Sequence, residues 1–250
     1  RRVLFRSITF INTCFENRKM SYYEHCRYRN FEGVAIVCAD YNDPDVLELM
    51  NSDLPVVTID YVHHNCTAVS SNNIQGIEDL VKYIYQQGHR KIAYIHGQEN
   101  SYVTKDRLAS FYRTMDELGL EVPDEYIRTA DYLETKEAAR QTRELLNLAD
   151  VPTCIIYPDD TALIGGRNVI IEMGLRIPRD ISVAGYDGTR ISQLLHPKLT
   201  TIRQNTELIG SEAAKRLIGT IEKPRTTLVE RVVIEGSLVP GQSVGKFLQK

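Results

Sequence analysis

The sequence lacks several features that would assign it to common functional classes. Its 250 residues include only five cysteines, an odd number without a Cys-x-x-Cys pair, which favours free thiols in a reducing cytoplasm. The net charge is -3, so there is no excess of basic residues to indicate a nucleic-acid surface. The longest apolar runs have the length of strands, far short of the roughly 20 residues that cross a membrane. We therefore predict a globular, cytoplasmic protein without a membrane span.

Motifs for cofactors, metals and catalysis are also missing. The chain contains no phosphate-binding glycine loop and no zinc-binding helix motif, so we predict no cofactor. His63, His64 and Cys66 are close in sequence, but neighbours on an extended segment point apart, which argues against a metal site. Residues 241–245 match the Gly-x-Ser-x-Gly pattern of hydrolases, yet none of the residues after them is His or an acid. We predict that the protein is not an enzyme.

What the sequence does contain is an alternation of strand and helix patterns. Short apolar runs typical of buried strands occur at residues 8–12, 34–38, 54–60, 92–95, 153–157, 181–185, 229–234 and 238–239. Amphipathic stretches with helical spacing occur at residues 18–30, 44–50, 73–87, 107–118, 134–148, 160–173 and 207–218. We predict no strand in the polar stretch formed by residues 61–71. The alternation predicts an α/β fold with parallel sheets flanked by helices.

Residues 153–204 form the most informative unit, in which a strand, a helix and a second strand follow one another. Asp159 and Asp160 follow the first strand, where either can cap the helix, and Asp187 follows the second strand. In open α/β sheets, ligands bind beyond the carboxyl ends of the strands. We therefore expect these carboxylates to lie together at one crevice.

Two blocks of sequence carry a family resemblance. Residues 158–188 read PDDTALIGGRNVIIEMGLRIPRDISVAGYDG, and residues 196–204 read HPKLTTIRQ. These residues contain five motifs in succession: the acidic pair, the Gly-Leu-Arg-Ile-Pro link, the Asp-Ile-Ser-Val strand, the Gly-Tyr-Asp turn and the Leu-Thr-Thr-Ile run. In that order they resemble the effector-binding core of the lactose-repressor (LacI/GalR) family of bacterial transcription regulators. An upstream block, residues 70–112 with Gly-His-Arg at 88–90, is similar to the same family.

The resemblance covers residues 8–244 and implies a fold. It implies a two-lobed, type 1 periplasmic-binding-protein-like architecture with three hinge crossovers, near residues 69–71, 204–205 and 231–234. The implied first lobe comprises residues 8–69 and 205–230 and is short of the family's first strand and helix, and the implied second lobe comprises residues 71–203 and 234–245.

The beginning of the chain is interpreted separately. Residues 1–7, RRVLFRS, match the translation of a common sequencing-library adapter, and we exclude them from fold reasoning. The chain has no initiator Met, which is typical of a fragment of a longer gene. We expect the DNA-binding head of the resembled family, absent here, to lie upstream of Ile8.

The resemblance also implies a ligand site. Arg107 and Asp187 match effector-contacting positions, and the positions that match the walls of the cleft are Asp60, Gln204, Ser101 and Tyr102. A carboxylate can accept from two sugar hydroxyls at once, and a guanidinium donates in a fixed fork. The alternative for Arg107 and Asp187 is a salt bridge that ties a lobe to the hinge.

Two further acids complete the implied site. Asp159 stands where many members carry Asn, and an ionised Asp only accepts, so the effector would have a different hydroxyl pattern or carry an amine. Asp160 is interpreted as the structural cap of the following helix.

These observations predict the effector-sensing and dimerisation core of a LacI-type transcriptional repressor. A small molecule, for which a sugar is the first hypothesis, would bind between the lobes and change operator affinity through a homodimer. Operator DNA would be contacted only through the missing head. Two alternatives stay open: a sugar-binding receptor of an ABC transporter with the same fold, and the same sensor fused to a winged-helix head.

Overall fold

A computed structural model describes residues 6–11 and 20–247, and strands and helices alternate along them. The helices are α1 (Tyr22–Tyr28), α2 (Pro44–Met50), α3 (Asn73–Gln86), α4 (Tyr102–Glu117), α5 (Thr135–Leu146), α6 (Asp160–Glu172), α7 (Arg190–Leu194) and α8 (Thr206–Glu222). The strands are β1 (Val34–Ile36), β2 (Val56–Ile59), β3 (Thr67–Ser71), β4 (Ile92–His96), β5 (Ile127–Thr129), β6 (Cys154–Ile156), β7 (Ser182–Asp187), β8 (Thr200–Arg203), β9 (Arg231–Ile234) and β10 (Ser237–Val239).

The strands form two sheets. The first has the order β1-β2-β3-β9 and the second the order β10-β8-β7-β6-β4-β5. Every neighbouring pair is parallel except β10 and β8. The predicted α/β fold with parallel sheets flanked by helices is confirmed.

The chain passes between the two sheets after β3, after β8 and after β9. The first passage leads into α3, which packs against β8 and β10, and the second leads into α8, which packs against β1, β2 and β3. Residues 231–234, expected at the third crossover, instead form β9 and pair with β3. The third passage therefore follows Ile234, since the ladder with β3 holds the chain in the first sheet up to that residue.

Helix boundaries follow the capping signals of the sequence. Asn72 accepts a hydrogen bond from the Gln75 amide at the start of α3, and Asp43 does the same for Asp45 in α2. The helix expected at residues 18–30 is shorter, Tyr22–Tyr28, because Ser21 starts it with a capping box.

The expected strand at residues 8–12 does not form in the part that the structure describes. Residues 8–11 are irregular, and Asn12 lies outside the described residues. The side chains of Ile8 and Phe10 are 84% and 93% exposed, so no neighbouring strand covers them. A run with strand composition needs a partner for its backbone groups, and this one has none among the described residues.

The polar stretch 61–71 contains a strand that its composition concealed. Thr67–Ser71 forms β3, buried at every residue between β2 and β9. Its polar composition does not prevent burial, because the backbone pairs with a strand on each side and the Thr67 hydroxyl accepts from the Glu230 amide. Hydrogen bonding, which the composition does not reveal, determines that this stretch forms a strand.

The core of the second lobe covers both faces of its sheet. On α3 the apolar positions Ile77, Leu80, Val81 and Ile84 recur with helical spacing, and each is at most 1% exposed. Burial of such side chains contributes about 1.5–3 kcal/mol each. The opposite face is covered by α5 and α6, which meet where Gly165 lies against the Thr135 carbonyl.

Two helical glycines make a matched test of this packing. A Cβ at Gly165 would lie 1.9 Å from the backbone oxygen of Thr135, whereas a Cβ at Gly210 on α8 meets no atom within 4 Å. We expect Gly165→Ala to lower the free energy of unfolding by about 1–3 kcal/mol through overpacking. Gly210→Ala should raise it by about 0.5–1 kcal/mol, because alanine loses less entropy in a helix. Urea unfolding of both variants checks this, and an equal effect would show that the α5–α6 contact imposes no constraint.

A buried histidine gives the fold a dependence on pH. His89 is 2% exposed, its Nε2 donates to the Gly245 carbonyl at 3.0 Å, and its Nδ1 lies 2.9 Å from the Thr153 hydroxyl. Burial lowers the pKa of His89, and the hydrogen bond to Gly245 only partly restores it. The unfolded chain, with a histidine pKa of about 6.5, therefore takes up the proton first as the pH falls.

It follows that the stability due to neutral His89 is present above pH 6.5 and is lost as the pH falls below it. We expect wild type to lose more unfolding free energy than His89→Gln between pH 7 and pH 5, since all other titrating groups are common to both. Urea midpoints measured across this range test it; parallel curves for the two proteins would contradict the assignment to His89.

Candidate functional site

The two sheets bring their strand ends together around a buried arginine. Asp60 follows β2 in the first lobe, and Asp187 ends β7 in the second. Arg107 lies on α4, and its charge lowers the pKa values of both carboxyls, although burial raises them more. The acids expected at one crevice, Asp159, Asp160 and Asp187, lie near one another, since, besides burial, the charge of Asp187 raises the pKa of Asp160 and the charge of Asp159 raises the pKa of Asp187. Asp60 from the first lobe joins them, because the charge of Asp187 also raises its pKa.

Arg107 is held by contacts to three different elements. Its side chain is 3% exposed; Nε donates to Asn73 at 2.8 Å, and Nη1 donates to the Pro158 carbonyl at 2.9 Å. The guanidinium carbon lies 3.5 Å from the centre of the Tyr186 ring. Nη2 has no hydrogen-bond partner among the described residues. The arginine is therefore fixed in place with donor capacity left for a ligand.

The alternative of a salt bridge between Arg107 and Asp187 is not formed. Arg107 has no ion pair within the described part of the chain, and Asp187 accepts instead from the Gln204 side chain amide at 2.5 Å. The backbone of Asp187 has a φ of +93°, a conformation that costs non-glycine residues roughly 1–3 kcal/mol. Such strain is found at functional sites, which makes the Asp187–Gln204 pair a candidate ligand contact.

Asp60 is a second carboxylate on a strained backbone. Its φ is +57°, and Oδ1 accepts from the Ser71 amide at 3.1 Å. Burial raises the pKa of Asp60, the Ser71 amide and Arg107 lower it, and the charge of Asp187 raises it. Two half-buried acids of like charge interact here, so a ligand that donates hydroxyls to both would lower the free energy of the site.

The acidic pair after β6 has different roles from those expected. Asp159, not Asp160, caps α6: its Oδ1 accepts from the Thr161 and Ala162 amides, and its Oδ2 accepts from the Leu133 amide. Asp159 is 1% exposed, and three backbone donors use its carboxylate. This geometry gives Asp159 a structural role, and its direct contact with an effector stays a prediction.

Asp160 ties three elements together instead of capping α6. Its carboxylate accepts from the Thr189 amide and hydroxyl and from the Thr201 hydroxyl. Burial raises the pKa of Asp160 to about 6, although these three hydrogen bonds lower it. Asp160 therefore has a structural role, as predicted, through its bonds to these threonines. It does not cap α6, because the Asp159 carboxylate already accepts from the free amides at the start of that helix.

An aromatic row joins the lobes beside this cluster. The rings of Tyr41 and Tyr61 from the first lobe are stacked with centres 4.0 Å apart, and Tyr61 meets Tyr102 of α4 edge to face at 5.1 Å. Ser101 precedes α4 without a capping hydrogen bond from its side chain. Ser101 and Tyr102 therefore stand at the boundary between the lobes, with the Ser101 hydroxyl free of the helix end.

A cavity of about 290 Å³ lies between the lobes at this boundary. Its walls combine apolar and charged side chains, and the residues that line it are Asp60, Val62, Ser70, Asn73, Tyr102, Val103, Asp106 and Arg231. Asn73, Asp106, Tyr186 and Arg231 were not among the predicted site residues. Asn73 lies in the block at residues 70–112 that carries the family resemblance, and its neighbour Asn72 caps α3.

The extended segment expected at residues 63–66 is not formed. The rings of His63 and His64 do not point apart; their centres are 4.3 Å from each other, because residues 63–66 form a turn and not an extended segment. Among the described residues no group of three His, Cys, Asp or Glu side chains is arranged to hold a metal ion. Burial raises the pKa of Cys66 to about 11, so its thiol stays protonated at neutral pH.

Comparisons with known proteins add independent findings. Residues 81–244 match the periplasmic binding protein-like domain. The chain is 30% identical to the HTH-type transcriptional repressor PurR of Actinobacillus pleuropneumoniae serotype 3 (strain JL03), over 79% of this chain and 59% of that protein. The chain thus spans about three-fifths of the length of the curated relatives that it matches.

Solved structures show the same likeness. A regulatory protein of the LacI family from Chloroflexus aggregans is 27% identical, with a TM-score of 0.77 over 90% of this chain and 81% of that chain. A complex of the transcriptional regulator CelR with cellobiose is 26% identical, with a TM-score of 0.79 over 89% of this chain and 71% of that chain.

The ring beneath Arg107 can be tested by two substitutions at one position. The Tyr186 hydroxyl is buried without a hydrogen-bond partner among the described residues, so Tyr186→Phe should leave the free energy of unfolding unchanged or raise it by up to about 1 kcal/mol. Tyr186→Leu removes the ring from under the guanidinium and should cost about 3 kcal/mol. Urea unfolding measures both; a Phe variant as unstable as the Leu variant would contradict the assigned role of the ring.

Proposed function

The chain belongs to the periplasmic binding protein-like domain family, and from this premise we propose that it is the effector-sensing and dimerisation core of a LacI-type transcriptional repressor. The observation that carries the proposal is the inter-lobe cluster of Arg107, Asp187, Gln204 and Asp60. It joins a fixed donor to two half-buried acceptors on strained backbones, contributed by both lobes. Support from relatives comes from the repressor PurR and from the LacI-family structure.

The effector that suits this cluster best is a sugar. Ring hydroxyls both donate and accept, so one sugar can donate to Asp60 and Asp187 while it accepts from Arg107 and the Gln204 amide. The CelR structure is a complex with cellobiose, which supports a carbohydrate as the effector. Ser101 and Tyr102 complete the proposed set of contacts at the edge of the cleft.

Ligand binding at this position can act on lobe geometry. A ligand that contacts Asp60 in the first lobe and Arg107 in the second stabilises the lobe arrangement that presents both at once. In a homodimer, such a change alters the spacing of two DNA-binding heads and hence operator affinity. The proposal places those heads in the longer protein of which this chain would be the sensing part.

Two alternatives carry different consequences. A sugar-binding receptor of a transporter would share the fold and the cleft but act outside the cytoplasm. We propose a cytoplasmic regulator because one relative is named as a transcriptional repressor and another as a regulatory protein. Fusion to a winged-helix head would keep the sensor unchanged. Among the described residues, no helix has the length and apolarity needed to span a bilayer.

An enzymatic role is not part of the proposal. The Ser243 hydroxyl, within the Gly-x-Ser-x-Gly run, donates to the Val183 carbonyl and accepts from the Thr200 amide, and Ser243 is fully buried. A hydroxyl engaged in this way serves packing and is not available as a nucleophile. In this proposal the acids of the cleft serve ligand binding.

The test is a thermal-shift screen of the chain against pentoses, hexoses, disaccharides, sugar phosphates and purines. At a hundredfold excess over Kd, a ligand should stabilise the folded state by about 2.7 kcal/mol, which is a clear shift of the melting temperature. Asp187→Ala and Arg107→Ala should each lose the shift given by the best ligand. The Asp180→Ala variant, which removes an exposed ion pair with Arg176 far from the cleft, serves as the matched control.

In the longer protein, the same two variants should still bind operator DNA but no longer respond to the effector. Gel-shift titrations with and without effector measure this separation. A normal effector response in both variants would show that the cluster around Arg107 is not the effector site.

A further inference from the structure

Helix α4 begins with two faces that have different neighbours. Its buried face, which includes Thr104 and Arg107, packs into the second lobe. Tyr102, Val103 and Asp106 lie beside that face at neighbouring helical positions, and they line the 290 Å³ cavity between the lobes. These three residues form what we call the outer face of α4, and it is turned towards the first lobe.

The first lobe holds an aromatic ring against this outer face. The rings of Tyr61 and Tyr102 meet edge to face with their centres 5.1 Å apart. Tyr61 is supported from behind, because its ring stacks on that of Tyr41 at 4.0 Å. The Tyr41 hydroxyl in turn donates to the Ile59 carbonyl at 2.8 Å, which fixes the stack to β2. Edge-to-face pairs favour the contacting state by about two- to tenfold beyond the area that they bury.

Opposite charges stand on the two sides of the same cavity. Asp106 comes one helical turn after Tyr102 on the outer face, and Arg231 begins β9 in the first lobe. Neither of the two charged side chains has a hydrogen bond or an ion pair within the described part of the chain. Because both line one cavity, their charges attract each other across it, and dissolved salt weakens that attraction.

We propose that the outer face of α4, through Tyr102 and Asp106, forms a clasp with the first lobe that holds the two lobes together in the absence of ligand. Tyr102 closes the clasp on Tyr61, and Asp106 closes it on Arg231. The aromatic half is already in contact, and the charged half pairs as the lobes approach each other. The clasp is thus a contact built into the fold that acts on the separation of the lobes.

The position of the clasp in the chain links it to the effector cluster. Asp106 directly precedes Arg107, and Tyr61 directly follows Asp60. The clasp therefore favours the lobe arrangement in which Arg107 and Asp60 lie near each other before a ligand arrives. A weaker clasp would lower the fraction of the protein that is competent to bind, and the apparent effector affinity would fall by the same factor. This consequence rests on the proposed function, whereas the clasp itself is tested without ligand.

A cycle of charge reversals in the full chain tests the charged half. Asp106→Arg and Arg231→Asp each place like charges on the two sides of the cavity, whereas the double variant restores opposite charges in exchanged positions. We expect each single reversal to lower the folding equilibrium constant, measured by urea unfolding in 50 mM salt, by about three- to tenfold. The double variant should return to within about twofold of wild type. In 1 M salt these differences should shrink, because the Debye length falls to about 3 Å.

Small-angle X-ray scattering of the same ligand-free proteins measures the separation of the lobes. The radius of gyration should increase in each single reversal and in Tyr61→Leu, and it should match wild type in the double reversal and in Tyr61→Phe, which keeps the ring. The matched controls are the pair Asp116→Arg and Arg225→Asp, two exposed charges without a side-chain partner among the described residues, and Tyr28→Leu, an exposed tyrosine without a ring contact there. The controls should leave the radius unchanged.

Two outcomes would overturn the clasp. If the two reversals have additive effects, as the control pair should, Asp106 and Arg231 do not act on each other. If Tyr61→Leu and both single reversals keep the wild-type radius of gyration, other contacts hold the lobes together. Neither outcome involves a ligand, so the proposed effector site would stand in both cases. A chain that shows the clasp but binds no carbohydrate would contradict the sugar effector alone.

Discussion

The structure depends on the burial of one positive charge, the Arg107 guanidinium. Removal of this group from water is costly, and the cost is offset by the Asn73 oxygen, the Pro158 carbonyl and the face of Tyr186. These partners belong to α3, to the segment after β6 and to β7, so the arginine can be satisfied only when all three elements are in place. The same contacts that stabilise it also fix the direction of its remaining donors, which suits the ligand-binding role that we propose for it.

The two carboxylates near this arginine are in the opposite situation. Burial raises the pKa values of Asp60 and Asp187, and their backbones have positive φ angles that disfavour non-glycine residues. The negative charges of Asp60 and Asp187 are thus incompletely compensated at the boundary between the lobes. A ligand that donates to both acids would relieve this cost only in the lobe arrangement that keeps them together, which is the differential binding that a sensor requires.

Prediction from sequence succeeded for features that neighbouring residues determine. It failed for features that depend on contacts with residues distant in the chain. The caps at Asn72 and Asp43, the helix faces and most buried strands follow from neighbouring residues. The strand β3 was missed because its backbone is paired with β9, which lies far along the chain, and its polar composition gives no sign of that pairing. Arg107 and Asp187 could be assigned through a motif, whereas Arg231 stands in no motif and reaches the cleft only because β9 pairs with β3.

The sequence by itself determined the alternation of strands and helices, the family resemblance and the residue types available for a ligand, because these depend on short-range patterns. It could not distinguish the two acids after β6, which are identical in type and adjacent. Tertiary structure decided that Asp159 caps α6 and that Asp160 bonds to Thr189 and Thr201. The physical reason is that a buried carboxylate takes its role from the donors around it, and most of those donors come from elements distant in sequence.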